Sequence, residues 1–77
     1  MQKLILSQRN VFHLHQLARV FFNETGVRHS LANENTLLTL IKASAHSSNK
    51  RIQGQLQGFV TGLDQKTQAV LAHRGIL

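Results

Sequence analysis

Apolar residues recur at helical spacing through most of this chain. Between Ser7 and Gly26 they stand at Val11, Leu14, Leu17, Ala18, Phe21 and Phe22. That spacing is the rhythm of a helix burying one face. Ser7 is placed to cap its N-terminus, and Gly26 supplies a C-terminal stop. Residues 3–6 read as a short extended stub or a pre-helix staple, and residues 28–33 as a loop. Asn33 can cap a second helix, with Glu34 favourably placed in its first turn. Leu37, Leu38, Leu40, Ile41 and Ala45 form its apolar face. The polar run 46–49 breaks it.

A third helix is expected from about Asn49. Ile52, Leu56, Phe59 and Leu63 follow the i, i+4, i+7, i+11 spacing. Residues 51–60 also alternate in the manner of a strand, with Ile52, Gly54, Leu56, Gly58 and Val60 on one side. The helix is preferred because its apolar face is cleaner and continues to Leu63. Asp64 can cap a short last helix through Gln65, Ala69, Val70 and Leu71, which Gly75 ends. The expectation is an all-α single domain over 1–77: a compact bundle of three longer helices and a short C-terminal fourth.

The first helix adds a qualification. Phe12 and Val20 fall on its otherwise polar side, among Arg9, Gln16 and Arg19. A helix apolar nearly all round is buried on more than one face. It is either the central helix of the bundle or part of a dimer interface.

Composition strengthens the second option. At 77 residues the core is small, and the chain has no Cys to brace it. A domain of this size buries only about 60% of the surface its unfolded chain exposes. Self-association is therefore an expected route to stability. A cysteine-free chain suits a reducing cytoplasm. No apolar run approaches the ~20 residues that span a bilayer. The apolar stretch near residue 1 is too short for a signal peptide.

Charge brings in function. Nine Lys and Arg face three Asp and Glu, a formal net charge of +6. Such a surplus favours polyanions or acidic proteins as partners. Most of the cations are scattered along the chain. The exception is the segment 50–62, whose polar side gathers Lys50, Arg51, Gln53, Gln57, Thr61 and three glycines with no acid among them. Lys and Arg neutralise phosphate, Gln bonds base edges or phosphate oxygens, and glycine lets a backbone approach closely. Arg9 and Arg28 are further candidates for the same surface if folding gathers them there. The expected partner is duplex nucleic acid. Without Tyr or Trp, and with the four Phe assigned mostly to the core, stacking on single strands has little to work with.

Gly54, Gly58 and Gly62 carry a second reading. Their spacing of four also suits close helix packing, within the chain or across a dimer. With Phe12 and Val20 they form a candidate protein interface. The alternative function is accordingly a homodimer or an adaptor docking on an acidic protein.

Other chemistries find little support. His13 and His15, two apart on a helix, point roughly 200° from each other and cannot share an ion. Too few Cys and carboxylates remain to complete a metal site with the five histidines. Neither HExxH, GxSxG nor a phosphate-binding glycine loop is present. The expectation is a non-enzymatic module with no cofactor, no metal and no small-molecule substrate.

Overall fold

Four helices form where caps and apolar spacing place them. The computed structural model describes residues 4–77. In chain order they hold α1 (Gln8–Thr25), α2 (Glu34–Ala45), α3 (Lys50–Thr61) and α4 (Gln65–His73). No strand occurs among the described residues, so the alternation over 51–60 resolves as helix. The chain is an all-α bundle of three longer helices and a short C-terminal one. Of the stub expected over 3–6, residue 3 lies outside the described residues, and 4–6 are irregular.

Each helix starts on a side chain that accepts from its first-turn N–H groups, which would otherwise lack partners. Ser7 Oγ accepts from the Asn10 N–H at 3.2 Å. Asn33 Oδ1 accepts from the Thr36 N–H at 3.0 Å, and the Thr36 hydroxyl accepts in return from the Asn33 N–H. Asn49 Oδ1 accepts from both Arg51 and Ile52. Asp64 Oδ1 accepts from the Thr67 N–H at 2.7 Å. Hydrogen bonds from the Thr67 side chain and backbone hold the Asp64 carboxyl below its ordinary range, with Lys66 adding to the effect. Gly26 ends α1 at φ 75°, its N–H donating to the Phe22 carbonyl. Gly75 adopts φ 73° just beyond α4. Both are backbone conformations that glycine takes without strain.

End contacts define the topology. The Asn49 side-chain amide donates to Glu24 at 3.0 Å, joining the end of α1 to the start of α3. Asn10, near the start of α1, lies against Gly62 at the end of α3, where a Cβ would stand 3.3 Å from Asn10 Oδ1. Helices α1 and α3 are therefore antiparallel, and theirs is the largest helix–helix contact. The Leu4 N–H donates to Glu34 at 3.1 Å, and Arg74 pairs with the same carboxylate at 3.5 Å. These two bonds tie the segment before α1 and the end of α4 to the start of α2.

The core draws on every helix. Leu14, Leu17 and Phe21 come from α1, Leu40 and Ile41 from α2, and Ile52, Leu56 and Phe59 from α3. Leu63 and Leu71 close it from the C-terminal side. The radius of gyration, 11.5 Å, matches the roughly 11.5 Å of a compact chain this long.

Several positions differ from the apolar pattern. Val11 and Phe22, expected in the buried stripe of α1, are each 39% exposed. They lie on a flank of α1 that its neighbours leave partly uncovered. Phe12 is 59% exposed, so only Phe21 and Phe59 of the four Phe are core residues. In α2, Ser44 is fully buried while Ala45 faces solvent. One residue is a 100° turn of helix, and a short apolar face tolerates that shift when the side chain is small. Among the described residues, no helix is long and apolar enough to cross a membrane.

Candidate nucleic-acid interface

The polar side of α3 faces solvent along its length. Lys50, Arg51, Gln53, Gly54, Gln57, Gly58, Thr61 and Gly62 are all exposed. Lys50, Gly54, Gly58 and Thr61 form the line opposite the buried Ile52, Leu56 and Phe59, with the two glycines in the middle of that outer crest. An ideal Cβ built on either glycine meets no atom within 4 Å. Close helix packing inside the chain therefore does not account for them. It does account for Gly62, which Asn10 approaches closely.

Two open depressions run beside the crest, and Gly54 borders both. One, of about 420 Å³, lies between α3 and the end of α2 and is lined by Ala45, Lys50, Gln53, Gly54, Leu56 and Gln57. The other, of about 400 Å³, lies toward α1 and is lined by Val20, Asn23, Glu24, Arg51, Gly54 and Gln55. The flanks differ in charge. Segment 50–62 holds no acid of its own, but the fold brings Glu24 to the α1 side, at the Arg51 end. The α2 side has no carboxylate in its lining. It also gains a cation that sequence reasoning passed over. Lys42 is exposed, and helical spacing sets it on the flank of α2 next to Ala45. Its position became legible only once α2 was seen to present Ala45 to this groove.

The other expected cations lie further away. Arg9 stands at the start of α1, which the Asn10–Gly62 contact places beside the end of α3. It is therefore at the opposite end of the α1–α3 pair from Lys50 and Arg51. Arg28 is at the right end but on the wrong flank. Its guanidinium lies over Phe22, 4.7 Å from the ring centroid. Phe22 points roughly 200° away from Val20, which faces α3. The fold thus keeps Lys50, Arg51, Gln53 and Gln57 on one exposed helix face, with Lys42 on the neighbouring flank of α2, and leaves Arg9 and Arg28 apart.

The candidate protein interface shares this surface only in part. Val20 is half-buried beside Gly54. Phe12 lies about 200° around α1 from Asn10, so it faces solvent on the outer side of that helix and is not in the α1–α3 trough.

All three acids have structural partners. Glu34 accepts from Leu4 and pairs with Arg74, Glu24 accepts from Asn49, and Asp64 caps α4. Among the described residues, Arg9, Arg19, Arg28, Lys42, Lys50, Arg51 and Lys66 form no ion pair. None of the three acids is bonded to these cations, although Glu24 stands beside Arg51 and Asp64 near Lys66. Likewise, among the described residues, no three His, Asp or Glu side chains come together as a metal-binding group. No protein-family model, curated relative or solved structure matches the chain.

Proposed function

We propose that the protein is a small, non-enzymatic module that binds duplex nucleic acid in a regulatory or accessory role, using the exposed face of α3 and the groove it shares with α2. The observation that carries this reading is the pairing of Lys50 and Arg51 at an end of α3 with no acid in its first turn. The helix dipole adds a partial positive charge at that end. Lys42 extends the same field onto α2, and Gln57 offers a side-chain amide beside it. The protein acts in the cytoplasm, where a cysteine-free chain suits the reducing conditions.

A second reading rests on Phe12. An aromatic side chain 59% exposed on the outer, polar side of α1 suits a second copy of the chain or a protein partner. Charge weighs against the second copy, because two such faces would bring Arg9 and Arg19 of each copy together with few acids to offset them. A dimer detected by light scattering that dissociates on Phe12→Asp, with no affinity for nucleic acid, would favour this second reading.

Salt dependence of duplex binding tests the first. Each phosphate neutralised adds about 0.9 to the slope of log affinity against log salt. Wild-type affinity is expected to fall steeply as salt rises. Lys50→Ala with Arg51→Ala is expected to reduce that slope by about 1.8. An unchanged slope in the double variant would remove these residues from the site, and no binding at low salt would remove the function.

A further inference from the structure

We infer that this surface engages the sugar–phosphate backbone of a duplex without reading its sequence, with the bare crest of α3 set against the backbone. The inference rests on the duplex-binding reading above and specifies what that site recognises.

A sequence-reading helix presents several convergent side chains to base edges from its outermost line. Here that line carries Lys50, Gly54, Gly58 and Thr61, so between its two ends it has no side chain to present. Two neighbouring uncharged polar groups are turned back onto the protein. The Gln53 side-chain amide donates to the Ser47 carbonyl, and the Thr61 hydroxyl donates to the Gln57 carbonyl. Gln55 is half-buried against α1. On the exposed face, Gln57 alone retains a side-chain amide with no hydrogen bond among the described residues, and one amide cannot specify a site.

The remaining chemistry suits phosphate. The ammonium of Lys50 and the guanidinium of Arg51 stand in the first turn of α3. Asn49 already accepts from the Arg51 and Ile52 N–H groups, so the side chains rather than the backbone amides would carry the contact. The open space over Gly54 and Gly58 lets the helix backbone approach a sugar edge, as glycine permits wherever a backbone meets a ligand. A Cβ at these positions has room in the free protein and would intrude only on something docked there.

The test is fluorescence anisotropy with labelled DNA duplexes of equal length and unrelated sequence, at one low salt concentration. Dissociation constants are expected to agree within about three-fold, whereas a sequence reader loses roughly five-fold or more per changed base pair. Gly54→Ala with Gly58→Ala is expected to weaken binding to every duplex alike, by about five-fold or more. Circular dichroism confirms that this variant stays folded. One duplex preferred by ten-fold or more would overturn the inference while leaving duplex binding intact. Unchanged affinity in the alanine variant would also overturn it. Failure to bind any duplex would overturn the functional reading itself.

Discussion

Phe59→Ala is expected to cost about 3–5 kcal/mol of folding stability. Phe59 is fully buried, and it sits on the face of α3 that packs against α1. Removing its ring deletes buried apolar surface and leaves a cavity that two helices must collapse around. A domain of this length has only about 4–12 kcal/mol in total. The substitution therefore removes between a quarter and all of the stability, and no disulfide limits the loss. Thermal unfolding followed by circular dichroism should show a midpoint lowered by about 12–40 °C, or no cooperative transition at all. Phe12→Ala is the natural control. That ring is mostly exposed, and surface changes usually stay within about 0.5 kcal/mol. Equal losses for the two variants would mean that Phe12 is covered in solution, as the dimer reading requires.

Gly54→Ala with Gly58→Ala is expected to move stability the other way, raising it by about 1–2 kcal/mol. Both glycines have helical backbone and open space where the Cβ would stand. Alanine there restricts the unfolded chain and strains nothing in the folded one. Urea unfolding should show a higher midpoint with an unchanged slope. Gly26 and Gly75 make the contrast, since their positive φ values leave alanine strained at either position. A lower midpoint in the double variant would show that the crest is already occupied in solution. Stability left unused on an exposed helix suggests that the crest is kept bare for contact, and activity is a recurrent reason for such a compromise.

Much of the fold was legible because its signals are local. Ser7, Asn33, Asn49 and Asp64 each cap the helix that follows, and Gly26 and Gly75 stop α1 and α4. Such residues act on backbone groups a few positions away, so their roles survive without knowledge of the tertiary arrangement. The stripe of α1 was less legible. Its apolar arc, from Val11 through Phe22 to Val20, is wider than its neighbours cover, and only packing decides which edge stays exposed. Ser44 and Ala45 exchanged places for a similar reason, since both are small and adjacent.

The candidate site was legible along α3 and illegible across helices. Lys50, Arg51, Gln53 and Gln57 share a face because helical geometry alone places them. Arg28, Glu24 and Lys42 come from other elements. Their positions depend on register, on the cation–π contact with Phe22 and on the rotation of α2. The glycines were ambiguous because one spacing serves two purposes. The space around them separates those purposes, assigning Gly62 to packing against Asn10 and leaving Gly54 and Gly58 open.

The most direct measurement of the central claim is a titration of isotope-labelled protein with a short DNA duplex, followed by backbone amide chemical shifts. Binding at the α3 face predicts the largest changes at Lys50, Arg51, Gly54, Gln57, Gly58 and Lys42, with α4 and the Val11–Phe22 flank of α1 little affected. Changes concentrated on α4 or on that flank, or no changes at low salt, would contradict it.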